Sequence, residues 1–100
     1  MQMHTRKVIV VITEALLEKP LTEDIKKLGV RGYTVTSARG EGSRGKRSAD
    51  LDGAQNIRLE IICDEPLADK ITAHLADRYM PNYAMVLYTL DAQVLRPQKF

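Results

Sequence analysis

Five β-branched residues in succession, Val8 to Ile12, narrow the folds that this chain can adopt. Side chains of a strand alternate between two faces, so this run predicts a central strand that is apolar on both faces. Residues 83–90 repeat the pattern, and their apolar positions are Ala84, Val86 and Tyr88 on one face and Met85 and Leu87 on the other. Helices can cover one face of such a sheet, but a soluble monomer seldom leaves a second apolar face in water. The sequence therefore predicts a homo-oligomer.

Two segments show the apolar spacing of amphipathic helices. The first, residues 18–27, has Pro20 in its first turn, where proline is tolerated, and Gly29 is placed to end it in a left-handed cap. The second opens at Pro66 and ends before the break at residues 80–82. The apolar positions of the two helices are Leu17, Leu21, Ile25 and Leu28, then Leu67, Ile71, Leu75 and Tyr79.

Residues 32–37 and 56–64 read as two further strands. The order is then β-α-β-β-α-β, which predicts an α+β, ferredoxin-like fold with both helices on one face of the sheet. Residues 1–100 form one domain in this interpretation, with a long mobile loop over residues 38–55 and a polar tail over residues 96–100.

The predicted loop is rich in cations and glycine. Residues 39–48 contain four cations and three glycines, a composition that suits a phosphate-bearing ligand because arginine offers forked donors and glycine lets backbone amides approach an anion. Gly45-Lys46 resembles the end of a phosphate-binding P-loop, but Arg47 stands where serine or threonine would bind magnesium, and a strand follows instead of a helix. A solvated loop tip is an equally good interpretation of the composition alone.

No constellation of an enzyme or a metal site stands out. His4 and His74 lack a neighbouring ligand at metal-binding spacing, and Glu14 has no nucleophile or partner base beside it. The single cysteine, Cys63, lies in an apolar strand pattern and is expected to be a buried, unreactive thiol. A net charge of +2 is too small to imply nucleic acid, and no apolar run has the length of a membrane span. We expect a non-enzymatic, cytoplasmic protein without a catalytic residue, a metal or a nucleic-acid partner.

Short motifs along the chain resemble those of PII-like signalling proteins, and most closely the inorganic-carbon branch, which includes the partner of bicarbonate transporters and carboxysome-associated proteins. The resemblance extends from about residue 7 to residue 96. The motifs that carry it are Ile12-Thr13-Glu14, Gly32-Tyr33-Thr34-Val35, Gly40-x-Gly42-Ser43-Arg44-x-x-Arg47-Ser48, Asn56-Ile57-Arg58-Leu59-Glu60-Ile61 and Asn82-Tyr83-Ala84.

The resemblance implies a homotrimer that binds an adenine nucleotide in clefts between subunits, with the long loop closing on it. ADP or AMP is the expected ligand, with bicarbonate as an additional one, and ATP and cyclic AMP remain open. Arg44 and Arg47 would reach the phosphates, and Arg58 would help to hold a small anion. The other residues placed along the nucleotide by the resemblance are Gly32, Tyr33, Thr34, Val35, Thr36, Tyr83, Ala84 and Met85.

The chain departs from parts of the family pattern. The nitrogen-sensing PII proteins carry a modifiable tyrosine in this loop, whereas residues 38–55 contain none, and their turn before the fourth strand is rich in glycine and basic residues. These departures disfavour ATP with 2-oxoglutarate as the sensed pair. The two-cysteine hairpin of some bicarbonate-transporter partners is also absent from residues 96–100. The expected partner is a bicarbonate transporter or a carboxysome-associated protein, so that any membrane contact is made through that partner.

Two other classes share the predicted strand order. A ferredoxin-like RNA-binding protein would stack bases on aromatic residues of the third strand, and residues 56–63 contain none. A small-metabolite or metal-binding module of the same fold lacks the ligands that a metal needs.

Overall fold

The structure is a computed structural model, and it describes residues 1–40 and 55–100. The described elements, in chain order, are strand β1 (His4–Glu14), helix α1 (Glu18–Leu28), strand β2 (Tyr33–Ala38), strand β3 (Asn56–Cys63), helix α2 (Glu65–Arg78) and strand β4 (Met85–Val94). Short 3-10 turns at Ala15–Leu17 and Pro97–Lys99 precede α1 and follow β4.

The four strands form one antiparallel sheet in the order β2-β3-β1-β4. The predicted βαββαβ order and the ferredoxin-like fold are thereby confirmed. β1 is central, as its two-faced apolar run predicts, and β2 and β4 lie at opposite edges of the sheet.

Both helices pack on one face of the sheet, where the core lies. Odd-numbered residues of β1 point to this face, and Ile9 and Val11 are completely buried there beside Leu59 and Ile61 of β3. The helices contribute the apolar stripes that their spacing predicts, with Leu21, Ile25, Ile71 and Leu75 fully buried. Burying these side chains supplies the main driving force for folding.

The ends of both helices follow the local signals in the sequence. Gly29 caps α1 with a left-handed φ of 115°, as predicted. At the start of α2, the Oδ1 atom of Asp64 accepts a hydrogen bond from the Leu67 amide at 3.0 Å, and Pro66 occupies the first turn. Pro20 likewise lies in the first turn of α1, which begins at Glu18.

The predicted strand bounds were too short at several ends. β1 extends beyond residues 8–12 in both directions, and β4 runs over Met85–Val94 instead of residues 83–90. The reason is tertiary: polar residues at these ends pair across the two strands, with Lys7 and Asp91 joined at 2.7 Å. Ala38, the predicted first loop residue, is the last residue of β2.

The predicted polar tail is partly structured. Residues 97–99 form a 3-10 turn, and an arginine on each of two other segments donates to its carbonyls. Arg31 bonds the Gln98 carbonyl at 2.6 Å, and Arg6 bonds that of Pro97 at 3.4 Å. The tail is therefore fixed against the protein by side chains that are distant from it in sequence.

The face of the sheet opposite the helices, formed by the even-numbered residues of β1 and their cross-strand neighbours, is called the open face below. Its exposure differs from strand to strand. Val8 and Val10 on central β1 are buried because neighbouring strands flank them, whereas Val86, Tyr88 and Leu90 on edge strand β4 are 41–54% exposed. The expectation of a second apolar face in contact with water thus holds for β4 and is wrong for the middle of β1.

No helix among the described residues is long and apolar enough to cross a membrane.

Candidate functional site

Strand β2 carries the first group of candidate residues. Thr34 and Thr36 point to the open face and are exposed, and Val35 packs against the core on the helix side. The ring of Tyr33 lies 5.6 Å from the ammonium of Lys26 on α1, a cation–π distance. Because β2 is an edge strand, alternate backbone N–H and C=O groups along it face outward and are open to a ligand.

Gly32 lies just before β2, at the loop that follows α1. A Cβ atom built on it would meet nothing within 4 Å. The backbone at this position is therefore open on its outer side, which leaves room for a ligand to approach it closely.

Arg58 lies on β3 beside Thr36, on the open face. Its Nη1 atom donates to Oε1 of Glu60 at 2.8 Å, and Tyr88 of β4 lies nearby on the same face. These contacts, the bond to Glu60 above all, raise the pKa of Arg58 further above its usual range, against the opposing effect of burial. Arg58 is therefore a fixed cation whose charge is partly compensated by Glu60.

The turn before β4 carries the second group. The hydroxyl of Thr13, which is fully buried, donates to the Ala84 carbonyl at 2.9 Å, and this bond fixes the chain where β4 begins. The ring of Tyr83 lies 6.2 Å from that of Tyr79 and remains exposed. The side chain of Met85 is buried in the core, so that only its backbone is available to a ligand.

The two groups lie on opposite edges of the sheet, and only the Thr36 end of β2 is level with the start of β4. Along one row of the open face, Thr36 pairs with Arg58, Arg58 with Ile12 and Ile12 with Val86. Three strand spacings of about 4.8 Å separate the ends of this row by roughly 14 Å. One chain therefore brings Thr34, Thr36 and Arg58 together and keeps Tyr83 and Ala84 apart from them.

Arg44 and Arg47 lie outside the described residues, and so does most of the predicted loop over residues 38–55. The described part of that segment includes Gln55, whose carbonyl accepts a hydrogen bond from the Ala15 amide at 2.7 Å. This bond joins the end of β1 to the start of β3 and sets where the loop returns to the sheet.

Three residues at the candidate site were not assigned a role from the sequence. Thr13 holds the Ala84 carbonyl, and Glu60 pairs with Arg58. Asn56, at the start of β3, is only 3% exposed, and its Oδ1 atom has no hydrogen-bond partner among the described residues. Of these three roles, only the pairing of Arg58 with Glu60 could have been predicted from the sequence, because residues two apart on a strand share a face.

Comparisons with known proteins agree with this architecture. The family profile of nitrogen regulatory protein P-II matches residues 6–99. Among solved structures, a PII-like signalling protein from Thermus thermophilus is 47% identical with a TM-score of 0.85, and the alignment covers 100% of this chain and 99% of that chain.

Structures of a second similar protein, CPII from Thiomonas intermedia, contain bound ligands. The structure of CPII bound to ADP and bicarbonate is 25% identical to this chain with a TM-score of 0.86, covering 99% of this chain and 97% of that chain. CPII bound to ADP, AMP and acetate has a TM-score of 0.86 at 23% identity, covers 100% of this chain and 98% of that chain, and supports the likeness in fold.

Proposed function

Because this chain belongs to the nitrogen regulatory protein P-II family, we propose that it is a non-enzymatic, cytoplasmic signalling protein that binds an adenine nucleotide between the subunits of a homotrimer. ADP or AMP is the proposed nucleotide, with bicarbonate as a second ligand, as in the CPII structure bound to ADP and bicarbonate. ATP and cyclic AMP are the alternatives that a titration must separate from these.

One observation carries the proposal of a site between subunits. The candidate residues of β2 and those before β4 lie on opposite edges of the sheet, so that no single chain can bring them together. Placing two copies side by side brings the β2 edge of one against the β4 edge of the next. A cleft between copies then unites two groups that one chain holds roughly 14 Å apart.

In this cleft, each group has its own role. Gly32 and the β2 backbone lie along the nucleoside, and Tyr83 and Ala84 of the neighbouring copy close the other side. Arg58 and the loop arginines supply positive charge to the phosphates or to a small anion. The other proposed contacts are Tyr33, Thr34, Val35, Thr36, Arg44, Arg47 and the backbone of Met85.

The downstream partner is proposed from the same family likeness. Nucleotide binding in the cleft would change the surface that the protein offers to a partner there. We place that partner in inorganic-carbon metabolism, as a bicarbonate transporter or a carboxysome-associated protein.

Titration calorimetry tests the proposed ligands directly. The purified protein is titrated with ADP, AMP, ATP and cyclic AMP, each with and without bicarbonate, and with a short RNA as the test of the rival class. We expect saturable binding of ADP or AMP at one site per chain and no binding of RNA. An absence of heat with every adenine nucleotide would contradict the proposal.

A pair of loop variants tests the phosphate contact. Arg47→Ala should weaken ADP binding about tenfold or more but leave adenosine binding unchanged, because a charge-assisted hydrogen bond to the phosphates contributes about 1.5–3 kcal/mol and adenosine has no phosphate. Lys46→Ala is the control, a neighbouring cation outside the family motif, and should change ADP affinity little. Equal behaviour of the two variants would mean that the strands alone hold the nucleotide.

A further inference from the structure

The open face of the sheet carries a polar cluster among apolar side chains. Arg58 and Glu60 lie two positions apart on β3 and form the ion pair at 2.8 Å, and Tyr88 on β4 lies on the same face across Val10 from Glu60. Leu90, on the same face of β4, is 54% exposed. A cation and an anion thus stand side by side on this face, between the threonines of β2 and the exposed apolar side chains of β4.

The ion pair within one chain uses only part of the hydrogen-bonding capacity of its two side chains. A guanidinium has five N–H donors and a carboxylate has two acceptor oxygens, whereas the bond between Arg58 and Glu60 joins one nitrogen to one oxygen. The two side chains are 37% and 32% exposed. Covering them with an apolar surface would remove this capacity from water without replacing it, which is costly for charged groups.

A second copy of the same face can cover the exposed apolar residues and also supply partners for the two charged groups. Its exposed apolar residues match those on β4, and it brings its own arginine and glutamate. Around the three-fold axis of a closed ring the same patch of every subunit meets that of its neighbours, so that position 58 of one subunit can meet position 60 of the next. The charge pattern of this face is therefore complementary to itself.

We propose that Arg58 forms an ion pair with Glu60 of the partner subunit, and that this exchange fixes the orientation in which copies of this chain associate. The inference rests on the proposed homotrimer and adds the contact that determines how its subunits are oriented. The apolar residues of the open face supply the affinity, and the ion pairs reject registers in which like charges meet, as buried polar residues do in coiled coils.

Mixing the wild type with a charge-swapped variant tests this pairing. In Arg58→Glu/Glu60→Arg both the intrachain pair and the pair between identical subunits are preserved, so the variant should form homotrimers. In a mixed trimer, each interface between unlike subunits opposes arginine with arginine or glutamate with glutamate. After unfolding and refolding together, native mass spectrometry should show mixed trimers at least about tenfold below their statistical abundance.

A second ion pair provides the control. Lys7 and Asp91 are joined at 2.7 Å on the helix-covered face, and Lys7→Asp/Asp91→Lys should mix with the wild type in the statistical proportions. Statistical mixing of the Arg58→Glu/Glu60→Arg variant would overturn the proposal, because its ion pair would then act within one chain. A folded but monomeric swapped variant would overturn it as well.

Should the swapped variant fail to fold, Glu60→Gln keeps the test decisive. It preserves shape and removes one charge, and the concentration at which the trimer dissociates, followed by light scattering, should rise about tenfold. An unchanged dissociation concentration would contradict the proposal. ADP binding is measured separately on the wild type, so that a failure of the nucleotide proposal remains distinct from a failure of this one.

Discussion

Two glycines lie in the segment between α1 and β2, and only Gly29 has a backbone conformation that favours glycine. Gly29 has a φ of 115°, whereas a Cβ on Gly32 would meet open space. Gly29→Ala should lower the free energy of unfolding by about 1–2 kcal/mol, because a side chain disfavours the left-handed conformation. The added Cβ would meet Leu67 only at an ordinary contact distance of 3.9 Å, so the cost lies in the backbone. Urea denaturation measures the change.

Gly32→Ala should behave in the opposite way. Its free energy of unfolding should stay within about 0.5 kcal/mol of the wild type, as for surface substitutions generally. Under the proposed function, its affinity for ADP should fall, because a methyl group would occupy the space along the nucleoside. Unchanged ADP affinity with unchanged stability would remove Gly32 from the proposed site.

Cys63 shows how a residue's chemistry follows from its place in the fold. The predicted burial is confirmed, and burial raises the pKa of the thiol to about 11. Since the thiolate is the reactive form, a disulfide reagent at mildly alkaline pH should modify the native protein far more slowly than the urea-unfolded protein. Equal rates in the two states would show that the end of β3 that carries Cys63 opens readily.

At the scale of elements, one polar contact joins the two helices beside their apolar packing. The hydroxyl of Tyr79, which follows α2, donates to Oδ2 of Asp24 on α1 at 2.5 Å, and His74 lies 3.4 Å from the same oxygen. The bond to Tyr79 is the main cause that lowers the pKa of Asp24, while burial and the neighbouring carboxylate raise that of Tyr79 to about 12.

Tyr79→Phe should therefore lower the free energy of unfolding by about 1 kcal/mol near neutral pH. This is less than the roughly 1.5–3 kcal/mol that is typical of a hydrogen bond to a charged group, because Asp24 is partly exposed. The folded state lowers the pKa of Asp24, so its stabilising effect is present above the ordinary pKa of about 4 and is lost as the pH falls through the lowered value. The difference between variant and wild type should shrink in that acid range. Tyr83→Phe, a neighbouring phenol on the same turn, is the control and should change stability by less than about 0.5 kcal/mol.

How far the sequence predicts these elements depends on which forces set them. Local signals such as Gly29 and the proline in each first turn place the helices correctly, and the two-faced run of β1 places that strand at the centre. The strand ends and the tail are set by pairing between distant residues, as in the contact of Arg31 with Gln98, and no local pattern encodes such pairing.

The candidate site shows the same division. Family motifs predict the segments of the candidate site, but the burial of Thr13 and Asn56 arises only when three strands meet at one end of the sheet. Polar residues at such positions look like surface residues in sequence. For the same reason, only the backbone of Met85 remains a candidate nucleotide contact, because its side chain points into the core.

At the scale of the whole molecule, the described residues present two sheet edges and, along β4, exposed apolar side chains on the face opposite the helices. The four strands leave β2 and β4 at the edges, and the helices cover only one side. If subunits whose β2 and β4 edges meet also bury their open faces against one another, a change that prevents assembly should abolish nucleotide binding while each chain stays folded. That coupling separates a site between subunits from a site within one chain.

Leu90→Asp tests the coupling. Leu90 is the most exposed apolar residue on the open face of β4, and a charge there would be buried without a partner at each subunit contact. We expect a monomer with native circular dichroism, because the core lies on the other face, and with ADP affinity reduced at least about a hundredfold. Light scattering and calorimetry on the same sample measure both effects.

Leu16→Asp is the matched control, since it makes the same change at a leucine that is 69% exposed in the turn before α1, away from the sheet face. It should remain a trimer and bind ADP as the wild type does. A monomeric Leu90→Asp variant that still bound ADP with wild-type affinity would place the nucleotide within one chain. The two candidate groups would then have to act independently, because the strands between them keep them roughly 14 Å apart.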